Sequence, residues 1–223
     1  MRSDTVIRLD VDAELASDPS ISHEDIATAV MGGVVTLAGT VNSYAQRYAA
    51  ALVVGRVRGV CAIVNDLTVR LPGNLVRSDT DLAHAAVNVL RWHSELPEGR
   101  LKLKVERSWV TIQGELDWFY QKDAAEQAIR TLAGVRGLTS LITIKAVPVP
   151  ADIRDRIHLS LERQAEFDAE QVSVETTGSR VTLKGIVQSM AERRAAELAA
   201  RNTPGVSHVD DEIVIMCPLP AMV

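Results

Sequence analysis

The stretch Val35-Thr36-Leu37-Ala38-Gly39-Thr40-Val41 returns as Val110-Thr111-Ile112-Gln113-Gly114-Glu115-Leu116 and again as Val181-Thr182-Leu183-Lys184-Gly185-Ile186-Val187. Twenty residues after each glycine comes a Gly-Val pair: Gly59-Val60, Gly134-Val135 and Gly205-Val206. Ten residues further on stands an apolar residue that closes a strand-like run: Val69, Ile144 and Ile215. The register also runs backwards without insertion, since Ile7, Leu82 and Ile153 lie 32 residues before the first glycine and Leu15, Leu90 and Leu161 lie 24 before it. Spacing kept this strictly is the mark of an internal repeat. Three units follow, over 1–71, 79–146 and 150–216. Their joints are Leu71-Pro72-Gly73-Asn74 and Val147-Pro148-Val149-Pro150, whose Pro and Gly residues disfavour helix.

Within each unit the hydrophobic period switches in a fixed order. The opening segment has helical spacing (Ile7, Val11, Leu15; Ile153, Ile157, Leu161). Alternation follows: Leu101, Leu103 and Val105 take one face, and Arg100, Lys102, Lys104 and Glu106 the other. A turn at Met31-Gly32-Gly33, Glu106-Arg107-Ser108 or Thr177-Gly178-Ser179 predicts a hairpin into the glycine-bearing strand. An alanine-rich helix comes next, with Gly59, Gly134 or Gly205 expected to end it by taking positive φ. A last strand, such as 63–69 or 138–144, completes the order α-β-β-α-β. The fold class is therefore α+β: three tandem small domains, each a three-stranded sheet covered by two helices.

This order, with V-T-L-x-G-x-V, a basic residue eight positions after the glycine (Arg47, Lys122, Arg193) and Gly-Val after twenty, resembles the BON domain family (bacterial OsmY and nodulation). The resemblance covers nearly the whole chain in three copies. It implies a non-enzymatic protein of bacterial stress response and cell-envelope maintenance that binds phospholipid surfaces or other proteins. For some cytoplasmic members it implies potassium sensing, which stands as the alternative. Acidic Asp4, Asp10, Asp12 and Glu14 leave no signal-peptide core near the N-terminus, so the expectation is a cytoplasmic protein, or a periplasmic one if a leader was removed. No run reaches the ~18 apolar residues of a membrane-spanning helix.

The 223 residues are 47% hydrophobic and 24% charged, the balance of a globular chain rather than a disordered one. A net charge of −5 argues against a protein dominated by nucleic-acid binding. Cys61 and Cys217 cannot make a disulfide framework. One long-range bridge is open to them, and a reducing compartment favours two free thiols, with Cys61 exposed.

No catalytic site is expected. The histidines His23, His84, His93, His158 and His208 show no ligand spacing, and the reading for each is an exposed polar side chain. Asp210-Asp211-Glu212 reads as a solvated acidic turn, since nothing near supplies further oxygen ligands. Neither a metal nor a cofactor is expected. Gly39, Gly114 and Gly185 are read as structural, at the handover from strand to helix, with a phosphate-cradling loop as the sharper alternative. None has the Lys-Ser/Thr signature that such a loop carries.

Five of the eight aromatics, Trp92, Trp109, Trp118, Phe119 and Tyr120, fall in the middle unit, which is also the least acidic, with ten basic against nine acidic residues over 76–148. Adjacent residues in a helix point about 100° apart, so Trp118, Phe119 and Tyr120 cannot all enter one small core. With Lys122 they form the candidate lipid- or partner-binding site. Packing between units of the same chain is the first reading, an oligomer contact the second and lipid the third. Lys102 and Lys104 join the candidate site. A solvated strand face is the favoured account of their alternation, and contact with anionic headgroups the sharper one.

Overall fold

A computed structural model describes residues 2–146, 153–162 and 171–217. The joint at 147–150 and the tail at 218–223 lie outside the described residues.

The first unit runs α1 (Asp4–Ser17), β1 (Ile26–Met31), β2 (Val34–Val41), α2 (Tyr44–Val54) and β3 (Ala62–Val69). The second repeats it as α3 (Asp79–Trp92), β4 (Leu101–Glu106), β5 (Trp109–Leu116), α4 (Phe119–Arg130) and β6 (Gly137–Ile144). The third does so as α5 (Ile153–Glu162), β7 (Val172–Thr177), β8 (Arg180–Val187), α6 (Met190–Arg201) and β9 (His208–Ile215). In every sheet the glycine-bearing strand is central, antiparallel to the strand before it and parallel to the one after it. The parallel pair needs a crossover, and the second helix supplies it.

Each unit has its own core. The opening helix buries one stripe (Ile7, Val11 and Leu15; Leu82, Ala86 and Leu90; Ile153, Ile157 and Leu161) against the alternate residues of the central strand, such as Val35 and Leu37 or Val110 and Ile112. Asp4 and Asp79, in the first turns of α1 and α3, tie these helices to the hairpins. The Asp4 carboxylate accepts from the Gly32 and Gly33 amides (2.8 and 3.1 Å), and Asp79 from the Arg107 and Ser108 amides (2.7 and 2.8 Å). Arg107 and Ser108 stand at φ 52° and 63°, a conformation few side chains adopt, with both turn amides anchored on Asp79.

Several sequence expectations change. Gly39, Gly114 and Gly185 lie inside the central strand, not at the handover to helix: Gly39 pairs with Ile26 on one side and Leu67 on the other. A Cβ there would fall 2.0–2.2 Å from the carbonyl oxygen of Asp25, Arg100 or Gln171, just before the neighbouring strand begins. Close backbone approach is thus what demands glycine. Gly59, Gly134 and Gly205 do take positive φ (91°, 101° and 100°), but the helices have already ended at Val54, Arg130 and Arg201, and the glycines close the turns that follow. Asp210, Asp211 and Glu212 form part of β9 rather than a turn. Asp210 pairs with Arg180 (2.8 Å) and Asp211 with Arg193 (2.6 Å).

Cys61 and Cys217 are not free thiols: they form a disulfide across 156 residues of sequence, and Cys61 is half-buried. The reason is the way the units pack. The end of the third unit returns to the first, a proximity that no local pattern encodes.

Candidate functional site

The second helices α2, α4 and α6 line one common cavity. Repeat-equivalent side chains come together there: Tyr48, Asp123 and Arg194 from one position, and Gly55, Arg130 and Arg201 from another, all lining a cavity of about 1120 Å³. The first residue of each second helix reaches into a neighbouring unit. Tyr44 packs against the cores of the first and second units, Phe119 is buried in the core of the third, and Met190 packs against the cores of the third and first. These contacts run first to second, second to third and third to first, so the three units close into a ring.

The far end of each second helix completes the pattern. The Arg201 guanidinium lies 5.4 Å from the Phe119 ring centroid, and Arg130 lies 3.5 Å from that of Tyr48. Gly55 takes the arginine's place at the third joint, where its carbonyl accepts from the Ala191 amide (3.0 Å). Arg130 and Arg201 each pair with a glutamate on their own helix, Glu126 at 3.8 Å and Glu197 at 2.6 Å. Burial pushes the Asp123 carboxyl above the ordinary carboxylate range. Glu126 adds to the shift, while Arg201, Lys122 and Arg194 oppose it.

The basic residue eight positions after the glycine clamps helix to sheet within a unit. Arg47 donates to the Asn65 carbonyl (3.0 Å), and Arg193 donates through Nε to Asp211 (2.6 Å). Lys122 holds that position in the middle unit and is half-buried.

The three adjacent aromatics do divide, but the 100° spacing governs only Phe119 and Tyr120, because Trp118 precedes the helix in extended conformation. Phe119 points inward to the third unit, while Trp118 and Tyr120 are 38% and 49% exposed. Trp118 also occupies the N-cap position that Ser43 and Ser189 fill in the other units. Those serines accept from the amides of Gln46 and Glu192 (3.2 Å each), a bond that an indole cannot make. Only Gln121 remains to hold the turn, its Oε1 accepting from the Asp117 and Trp118 amides while its Nε2 donates to the Glu95 carbonyl.

Lys102 and Lys104 lie on the exposed face of β4. Lys104 pairs with Glu106 (2.9 Å) and Arg100 with Asp117 (2.7 Å), which neutralises much of the stripe. Trp92, at the end of α3, is 85% exposed. Sequence reading took Trp92 only as part of a composition bias, and missed that Trp118 replaces a serine cap. Aligning the three repeats position by position would have exposed the second.

Among the described residues, no group of three or more His, Cys, Asp or Glu is placed to hold a metal ion, and no helix is long and apolar enough to cross a membrane.

Three repeated α+β units, joined through side chains of their second helices, define a tandem-repeat protein. The chain belongs to the BON domain family, matched at residues 3–70, 78–146 and 151–216. BON domains are non-catalytic binding modules. Over 133 residues the chain is 28% identical to the osmotically-inducible protein Y of Escherichia coli K12, a match covering 54% of this chain and 64% of that protein, just under two thirds of its length. It is also similar to two solved structures of CdsD, the structural protein of the type III secretion system of Chlamydia trachomatis. One shares 13% identity over 95% of this chain and 92% of that one, with a TM-score of 0.27. The other, of the C-terminal domain, shares 12% over 97% and 99%, with a TM-score of 0.26.

Proposed function

We propose that this is a non-catalytic binding and assembly protein of bacterial stress physiology, whose three BON units form a ring that engages a protein partner through Trp118 and Tyr120 of the middle unit. The observation that carries the reading is Trp118 itself. The middle unit forgoes a serine cap worth about 1 kcal/mol and sets a half-exposed indole in its place. A residue that gives up a local cap and leaves 38% of an indole exposed breaks a local rule in the way expected at a functional surface. Trp and Tyr suit such a boundary, since each has an apolar body and a polar tip.

A protein surface is favoured over an anionic bilayer because Arg100 and Lys104 already carry acidic partners. The Cys61–Cys217 bridge supports an oxidising working place, the periplasm rather than the cytoplasm of the sequence expectation. The test is size-exclusion chromatography with light scattering, run with and without phosphatidylglycerol vesicles at low and high salt, on the native chain and on Trp118→Ser. A complex or discrete oligomer that ignores vesicles and is lost in Trp118→Ser supports the reading. Co-elution with vesicles only at low salt, weakened by Lys102→Glu, would replace it with a membrane-surface role.

A further inference from the structure

The ring has three joints, and the polypeptide itself spans two of them. Residues 70–78 link β3 to α3, and residues 145–152 link β6 to α5. The joint between the third unit and the first has no peptide connection. The position that supplies the stacking arginine at the other two is Gly55 here; Arg194 of the third unit crosses this joint instead, 5.7 Å from the Tyr48 ring centroid and donating to the Tyr48 hydroxyl at 2.9 Å. A Cβ on Gly55 would lie 3.4 Å from Met190 Cβ, so the backbones meet directly. At this joint stands the Cys61–Cys217 bond.

The first unit is shaped for that bond. A Cβ at Gly33 would fall 2.7 Å from the Cys61 sulfur, whereas the corresponding turn positions elsewhere are Ser108 and Ser179, facing Arg136 and Ser207 in place of a cysteine. The hairpin turn of the first unit therefore leaves room for sulfur.

We propose that Cys61 and Cys217 form a reversible thiol–disulfide site, with dithiols as its reactant class, and that reduction releases the third unit from the first and opens the ring. A dithiol's thiolate attacks one sulfur, and the other cysteine leaves as a thiolate that takes up a proton. The second thiol of the reagent then attacks the mixed disulfide, frees the remaining cysteine and closes the reagent into its own disulfide. Two electrons and two protons pass from reagent to protein. The two covalently linked joints persist, so the product is an open chain of three folded units, with the faces of Met190 and Gly55 newly exposed to solvent.

The experiment uses the full chain purified without reductant. Thiol titration in denaturant is expected to find no free thiol before treatment with dithiothreitol and two after it. Amide hydrogen exchange then reads the joint at Ala191, whose N–H bonds across it to Gly55. That exchange should quicken at least about tenfold on reduction, while amides in β2, β5 and β8 keep their protection. The Cys61→Ser/Cys217→Ser variant should exchange fast at Ala191 with or without reductant. Two free thiols in the untreated protein, unchanged exchange at Ala191 on reduction, or loss of protection throughout the sheets would each overturn the proposal. The last of these would make the bond a staple for folding rather than a latch.

Discussion

The guanidinium of Arg130, from the middle unit, lies 3.5 Å above the ring centroid of Tyr48 in the first, and the Tyr48 hydroxyl accepts from Arg194 of the third at 2.9 Å. One side chain therefore touches all three units. Tyr48 sits where Asp123 and Arg194 sit in the other helices, so the contact depends on the repeats having diverged at an otherwise equivalent position.

Removing that ring should loosen the assembly without unfolding any unit. Tyr48→Ala is expected to lower stability by about 1–2 kcal/mol, and Tyr48→Phe, which loses only the hydroxyl, by less than about 1 kcal/mol. A double-mutant cycle with Arg130→Ala, followed by urea unfolding, should return a coupling energy of about 1 kcal/mol. Simple additivity would mean that the stacking contributes nothing.

Phe119 and Trp118 are neighbours in sequence with opposite roles. Phe119→Ala empties a place in the core of the third unit and should cost about 3 kcal/mol. Trp118→Ser restores the cap of α4 but gives up the buried part of the indole, so its stability should change by less than about 1 kcal/mol while partner capture weakens. Urea midpoints for the two variants check the contrast.

The central-strand glycines should be far less replaceable than those in turns. Gly114→Ala would drive a methyl to 2.2 Å from the Arg100 carbonyl oxygen, and a loss of more than about 3 kcal/mol is expected. Gly178 has open space around its missing Cβ and φ +60°, so Gly178→Ala should cost only about 1 kcal/mol of backbone strain. Thermal unfolding of the two variants side by side gives the comparison.

Asp123 should leave a signature in pH dependence. Burial raises its carboxyl pKa in the folded state above the unfolded value, so the folded form holds its proton more tightly. Its contribution then favours folding below the ordinary carboxylate pKa and turns unfavourable as pH rises through the raised value. Asp123→Asn is expected to unfold at a higher urea concentration than the native chain at pH 7, with the gap closing below about pH 4. A variant less stable than the native chain at pH 7 would show that Arg194 and Arg201 outweigh the burial.

What the sequence made legible was local. Hydrophobic period, turn residues and the threefold register are written in consecutive residues, and they yielded α-β-β-α-β three times. That Trp118, Phe119 and Tyr120 could not all enter one core was legible too, but not which of them would turn inward, since Trp118 stands before the helix as its N-cap. The misreadings share a different cause. Gly39 is required by the carbonyl of Asp25, just before the neighbouring strand, and Cys61 finds Cys217 only once three units have packed. Tyr44, Phe119 and Met190 share one repeat position but differ in chemistry, so no common motif announced that this position joins the ring.

Small-angle X-ray scattering of the oxidised monomer tests that ring most directly. A closed ring of 223 residues should have a radius of gyration of about 17–18 Å, near that of a compact chain of this length. Three units strung out along their linkers would give a value above about 22 Å and contradict the account.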